Sequence, residues 1–323
     1  MNITIVLGDK IPSIKYGGTQ RVMWYLGKEL NKRGHKVTFI AGKGSSCPFA
    51  KVIELDPSVN LNTQIPTDAD IVHFNIPVPE GITKPHLLTI HGNGIPANAD
   101  RNIVFVSRNH AQRLGSESFV YNGLDWDDYG PANLNLSRKN YHFLGKAAWK
   151  VKNIKGAIAV VQSIKNAQLD VLGGYRLNLK MGFRFTWNPR IHFHGMVDDS
   201  KKKVIIEQSK GLIFPVTWHE PFGLAITESL YFGAPVFGTP YGALPELVSP
   251  EVGFLTVHGQ EMAEHIQSAQ YSPKVCHEYA RDLFNSSVMA EAYLKKYETV
   301  LNDEPLNKEV PHIIDIARRL PWD

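Results

Sequence analysis

Short apolar runs rich in Val, Ile and Phe alternate along the chain with stretches whose apolar residues recur at helical spacing. This is the pattern of parallel strands joined by crossover helices. In the first half the strand-like runs are Ile3–Leu7, Val37–Ala41, Ile71–Asn75, Leu87–His91, Ile103–Ser107 and Phe119–Asn122. Between the first two, Val22, Met23, Leu26 and Leu30 mark a helix from Gln20 to Lys32, and Arg33-Gly34-His35 supplies a basic last turn and a glycine stop. The chain therefore opens as a βαβ unit. A polar, aperiodic stretch from Gly123 to Lys139, with Gly130-Pro131 inside it, reads as a connection between domains. The strand pattern then resumes at Tyr141–Leu144, Leu169–Leu172, Ile191–His194, Leu212–Pro215, Pro235–Gly238 and Gly253–Thr256, separated by helical stretches such as Ile154–Ile164 and Gly223–Phe232. Beyond Ser272 the pattern is helical to about Leu301, and Asn307–Leu320 is a candidate last helix despite Pro311. The expectation is an α/β protein with two similar parallel-sheet domains, residues 1–137 and 138–300, and a helical tail at 301–323.

The length of 323 residues agrees with two domains. A 43% hydrophobic content with 20% charged residues excludes a disordered chain and leaves ample material for two cores. The net charge of +4 is too small to mark a nucleic-acid binder, and no nucleic-acid partner is expected. Cys47 and Cys276 lack any zinc-site spacing, and a reducing compartment fits them. The start MNITIVLGDK lacks a basic leader region, and no window is apolar enough to span a membrane. A cytoplasmic chain is expected, with peripheral contact at a membrane surface and the oligomeric state both left open.

Four places could carry chemistry. Tyr16-Gly17-Gly18-Thr19-Gln20 lies between the first strand and the first helix, where glycines allow close backbone approach and the helix start attracts an anion; a plain tight turn is the alternative. Neither GxGxxG nor a GxxxxGK[ST] loop occurs. The run Gly145-Lys146-Ala147-Ala148-Trp149-Lys150-Val151-Lys152-Asn153 follows the first strand of the second domain, where Lys146 and Lys152 could neutralise a diphosphate or simply decorate a solvated loop. The most specific stretch is Trp218-His219-Glu220-Pro221-Phe222-Gly223-Leu224-Ala225-Ile226-Thr227-Glu228. It places two carboxylates about a helix start whose amides, at Phe222, Gly223 and Leu224, suit an anion while a carboxylate suits a vicinal diol. Two acids favoured by the helix dipole are the bland alternative, and a glycosidase pair is a weaker one. Finally, His91 ends a strand just before Gly92 and could donate to a phosphate or sugar hydroxyl, or serve the core. His192 and His194 alternate on a strand with no third metal ligand apparent, and Lys201-Lys202-Lys203 reads as a solvated helix face.

Taken in order, Gly17-Gly18, Thr89-Ile90-His91-Gly92, Phe105-Val106-Ser107, Asn122-Gly123-Leu124-Asp125, Leu144-Gly145-Lys146, Lys152-Asn153, His194-Gly195 and Glu220-Pro221-Phe222-Gly223 to Glu228 resemble the retaining glycosyltransferases of family 4. The resemblance runs from residue 3 to about 300 and implies the GT-B fold, two Rossmann-like parallel-sheet domains facing a central cleft. It further implies transfer of a hexose-type sugar from a nucleoside diphosphate, with UDP ahead of GDP, to a glycan or glycolipid hydroxyl, with no metal and no other cofactor. By the same resemblance Glu228 holds the donor ribose, Lys146 and Lys152 the diphosphate, and the amides of Phe222 to Leu224 phosphate or sugar, while Glu220 and His91 border the transferred sugar as catalytic residues and the Gly17-Gly18 loop closes on the donor. Lys146 stands where the family usually has arginine, which removes the bidentate fork. Lys155-Gly156 also resembles the family's Lys-Gly signature, but Lys152 keeps the spacing from Lys146 short. An epimerase of the same architecture and a non-catalytic sugar-nucleotide binder are the rival readings.

Overall fold

The computed structural model describes residues 1–13, 17–179, 181–315 and 319–323. The chain divides into two compact units, Met1–Asp125 with Phe284–Ile316, and Trp126–Leu283 with Ala317–Asp323.

The first unit is built on six parallel strands: β1 (Asn2–Val6), β2 (Lys36–Ala41), β3 (Lys51–Glu54), β4 (Ile71–Phe74), β5 (His86–Ile90) and β6 (Ile103–Phe105), in the order β3-β2-β1-β4-β5-β6. Ile3, Ile5, Val6, Phe39, Ile40, Ile71 and Phe74 are almost wholly enclosed, because a parallel sheet is covered on both faces and its strands read as continuous apolar runs. The helix Gly18–Lys32 buries Val22, Met23, Leu26 and Leu30, the stripe its spacing predicts. Helix Ser286–Leu301 belongs to this unit: Tyr297 Oη lies 2.8 Å from His73 Nδ1, and Tyr293 Oη 3.0 Å from Thr89 Oγ1, all four side chains being buried.

That helix departs from the expected division at 137 and 300. Its period marks it as a helix, but only the fit of two tyrosines to β4 and β5 assigns it to the first sheet. The expected helix at 307–320 is absent among the described residues of that stretch. Pro311 interrupts it, and Asn307 Nδ2 donates instead to the carbonyls of Arg101 and Ile103 at 2.8 and 2.9 Å. Phe119–Asn122 contributes only a bridge from Phe119 to Phe105 rather than a strand.

The second unit repeats the plan with β7 (Asn140–Leu144), β8 (Leu169–Leu172), a short antiparallel pair β9 (Leu177–Asn178) and β10 (Arg184–Phe185), then β11 (Ile191–Phe193), β12 (Ser209–Phe214), β13 (Val236–Gly238) and β14 (Gly253–Leu255). Its six-stranded parallel sheet runs β11-β8-β7-β12-β13-β14, so both sheets have the doubly wound order 3-2-1-4-5-6. Phe143, Val171 and Ile213 pack with Ala157 and Val161 of the helix Ile154–Ser163 to form its core. The strands β3, β9 and β10 have no counterpart in the expected pattern. Among the described residues no helix is long and apolar enough to cross a membrane.

Candidate functional site

In the second sheet β7 and β12 are neighbours whose following connections lead to opposite sides, to β8 and to β13. A crevice opens outside the carboxyl ends of two such strands. The loop after β7 and the loop after β12 meet there. Thr217 N donates to Val151 O at 2.8 Å, and Asn153 Nδ2 donates to Pro215 O at 2.9 Å. Asn153 takes the left-handed conformation at φ 52° and its Oδ1 caps the helix Ile154–Ser163 by accepting from Gly156 N at 3.1 Å. The 3-10 turn Lys150–Lys152 just before it turns Lys152 inward, where the side chain is buried.

Lys152 meets Glu220. Its Nζ lies 2.5 Å from Glu220 Oε2, and Trp218 Nε1 donates to the same oxygen at 2.8 Å. The ammonium also stands 5.1 Å from the centre of the Trp218 ring and 5.2 Å from that of Phe214. Glu220 is only 7% exposed, so each charge needs the other to offset the loss of water. Its backbone is held as firmly: Ala243 N donates to Glu220 O at 2.9 Å. At Gly242, φ 64°, a Cβ would come within 2.3 Å of both Glu220 N and Glu220 O, so only glycine lets that loop clamp the glutamate.

Gly223, at φ 94°, turns the chain into the helix Leu224–Tyr231, whose N-terminal turn follows the Glu220 loop directly. Glu228 sits in that helix, 6% exposed. Its Oε1 accepts from Lys202 Nζ at 2.5 Å and from Tyr129 Oη at 2.6 Å. Two glutamates on one loop-helix segment are therefore each ion-paired to a buried lysine, through one carboxylate oxygen apiece.

Lys202 corrects the reading of Lys201-Lys202-Lys203 as a solvated face: it is 7% exposed and also meets Asp199 Oδ1 at 2.8 Å. The signal was present in the sequence, since Lys202 and Ile206 are four apart and share the buried stripe of the helix Asp199–Glu207. Tyr129, the other group on Glu228, lies inside the polar stretch whose composition reads as a connection between domains.

The other candidate residues lie elsewhere. Lys146 is exposed, with its ammonium 5.2 Å from the Trp149 ring, and Lys155 is exposed on the first turn of its helix. Gly17 and Gly18 are in the first unit, where Gly17 O accepts from Arg21 N at 3.0 Å to start the helix; Tyr16 lies outside the described residues. His91 follows β5 in the first unit, its Nε2 2.8 Å from Asn75 Oδ1. Burial, with a smaller contribution from His110, pushes its pKa down to about 3, so its imidazole is neutral near pH 7. His192 and His194 pair separately with Gln168 and Asp170, and no group of three metal-ligating side chains occurs among the described residues.

Residues 131–286 match the family model described as glycosyl transferases group 1. The match lies almost wholly within the second unit. Two curated relatives are described as uncharacterized 41.2 kDa and 42.6 kDa proteins in the cps region of Klebsiella pneumoniae. They are 26% identical over 115 residues and 31% over 104, which is about a third of this chain in each case. The chain spans only 32% and 25% of the length of those relatives in these matches. Among solved structures, AviGT4, a glycosyltransferase involved in Avilamycin A biosynthesis, superposes with a TM-score of 0.77 at 20% identity, over 94% of this chain and 98% of that one. Anabaena Alr3699/HepE, solved in complex with UDP-glucose, superposes at 0.65 and 15% identity, over 93% of this chain and the whole of that one. The fold is the GT-B fold of these glycosyltransferases.

Proposed function

We propose that the protein moves a hexose-type sugar from a nucleoside diphosphate, UDP ahead of GDP, to a hydroxyl of a glycan or glycolipid, with retention at the anomeric carbon and without a metal ion. The observation that carries this reading is the pair of buried glutamates, Glu220 and Glu228, placed about a helix start at the switch point of a doubly wound sheet and each held by a buried lysine. Both contacts to Glu228 reach Oε1, which leaves Oε2 to accept from the vicinal hydroxyls of a ribose. The helix start at Phe222 to Leu224 suits a phosphate. Lys152 and Lys146 offset the negative charge that grows on the departing diphosphate. In the retaining step the bond from the anomeric carbon to the diphosphate oxygen breaks, the acceptor oxygen bonds to that carbon on the same face, and the acceptor's proton passes to the leaving phosphate. Neutral His91 is suited to a hydrogen bond with a sugar hydroxyl, and Glu220 to bordering the transferred sugar.

The UDP-glucose complex of HepE, a protein of the same fold, favours a UDP-sugar as donor. The two relatives from a cps region accord with a glycan or glycolipid acceptor.

The test is a metal-free thermal-shift titration with UDP, GDP, ADP and CMP. A ligand bound only by the folded chain, at about 100 times its Kd, adds roughly 2.7 kcal/mol. UDP is expected to raise the Tm, and Glu228→Gln to weaken UDP and uridine alike by about tenfold, the loss of one charge-assisted hydrogen bond. No shift with any diphosphate at saturating ligand refutes the donor site. Incubation with UDP-sugar alone then separates transfer from epimerisation, since an epimerase would change the sugar without an acceptor.

A further inference from the structure

The antiparallel pair β9 and β10 is folded inside out. In Asn178 and Arg184, which are paired across the two strands, the polar side chains face the body of the unit, while their neighbours Leu177 and Phe185 face away. Every odd position from Tyr175 to Trp187 is apolar and exposed. Leu179, Phe183 and Trp187 are 72%, 71% and 83% exposed. Arginines anchor the inner side. Arg184 is buried, donates to Thr186 Oγ1 and to Tyr175 O at 2.9 Å each, and lies 5.0 Å from the Phe193 ring. Arg176 donates to the carbonyls of Thr186, Asn188 and Ile191. Arginines turned inward and aromatics turned outward form an arrangement that water does not favour, and a contiguous apolar face of this kind marks an interaction surface.

Charge identifies what covers it. Lys150 borders the hairpin tip: a Cβ on Gly182 would stand 3.2 Å from Lys150 Cε. Lys150, Lys155 and Arg319 line one pocket together with Met181 and Phe183, so cations rim the apolar face. A second copy of the chain seated face to face would bring two such basic rims together. An anionic bilayer surface neutralises the rim and accepts Trp, Tyr, Phe and Leu at its interface.

We infer that residues 175–187 form a docking element that seats the protein on an anionic lipid surface. The inference does not depend on the donor-site reading. Its test uses the full chain, sedimented with phosphatidylglycerol vesicles and with phosphatidylcholine vesicles, beside UDP thermal shifts of the same proteins. Binding to phosphatidylglycerol is expected and weakens as salt rises. Phe183→Ser combined with Trp187→Ser, and separately Lys150→Glu combined with Lys155→Glu, should each lower vesicle affinity about tenfold or more while Tm and the UDP shift stay as in the parent. Failure of the parent to bind vesicles, equal binding to both lipids, or full binding by the Phe183/Trp187 variant overturns the inference. A dimer that the same variant converts to monomer, with no vesicle binding, reassigns the face to a second copy. A lost UDP shift with intact vesicle binding strikes the donor reading alone.

Discussion

The two units wind their strands in the same order, yet β4 and β5 of the first end in different chemistry from β7 and β12 of the second. In the first, β4 and β5 lead to Asn75 and His91, which hydrogen-bond to each other, and His110 Nε2 lies 2.8 Å from Gly92 O. Burial pulls His91 down to about 3 and His110 to about 4, so both imidazoles are neutral near pH 7. In the second, β7 and β12 lead to Lys152 and Glu220, an ion pair at 2.5 Å, with Glu228 and Lys202 paired at the same distance nearby. The loops that follow these strands decide whether a sheet end offers neutral hydrogen bonds or fixed charge. A diphosphate and ribose ask for fixed charge, a sugar hydroxyl for neutral groups, and that contrast underlies the assignment of donor to the second unit.

The contrast is broken most severely at Lys152. Lys152→Ala leaves the Glu220 carboxylate buried without its cation, and removing one partner of a buried pair costs about 3–5 kcal/mol. Urea unfolding should show that loss of stability. Calorimetric titration should show UDP affinity falling far more than uridine affinity, because the proposed role sets the ammonium against the phosphates and not the nucleoside. Equal losses for the two ligands would mean that the pair only holds the loop in place.

Acid should expose the difference between the units next. Buried His73 and His91 sit at about 3 and His110 at about 4 in the first unit, against His142 at about 3 in the second; in each case burial disfavours the charged form. With folded pKa values below the ordinary 6.5, the unfolded chain binds more protons, so stability is full above pH 6.5 and declines as pH falls towards 3. At pH 5 the decline reaches about 2 kcal/mol for each histidine held near 3. Burial also acts on His86, but its hydrogen bonds to Asp100 and to Lys84 O raise it overall and offset part of this in the first unit. Hydrogen exchange followed from pH 7 to pH 5 should show amides of β4 and β5 losing protection before those of β7 and β12. The reverse order would locate the acid-sensitive element in the second unit.

Much of this architecture could be read in the chain. Apolar runs with β-branched residues located nearly all the strands of both parallel sheets, because strands enclosed on two faces leave a continuous signal. The same signal failed where burial does not dictate the pattern. Lys51–Glu54 is half exposed, and the hairpin around Leu177 and Phe185 alternates with its apolar face outward. Which sheet the helix Ser286–Leu301 joins depends on Tyr293 and Tyr297 meeting Thr89 and His73, contacts about 200 residues apart in sequence. At the site, Glu220, Glu228 and Lys152 stood out by spacing. Lys202 and Tyr129 did not, because a lysine run and a Gly-Pro stretch look like surface until a partner carboxylate is placed beside them.

Lys155 supplies the smallest effect and the sharpest test of how a lysine is chosen. It follows Lys152 by three residues and precedes Gly156, so sequence pattern alone gives it a similar claim. The cap at Asn153 separates them: Lys152 ends the 3-10 turn facing Glu220, while Lys155 opens the helix on its solvent side. A long side chain in water loses little when truncated, and surface changes of this kind stay within about 0.5 kcal/mol. Lys155→Ala should therefore leave the Tm close to that of the parent and the UDP affinity within about twofold, as that energy allows. If it instead weakens UDP as much as Lys152→Ala does, the phosphates reach past the capped turn, and the buried pair with Glu220 is a structural brace beside the donor rather than part of what holds it.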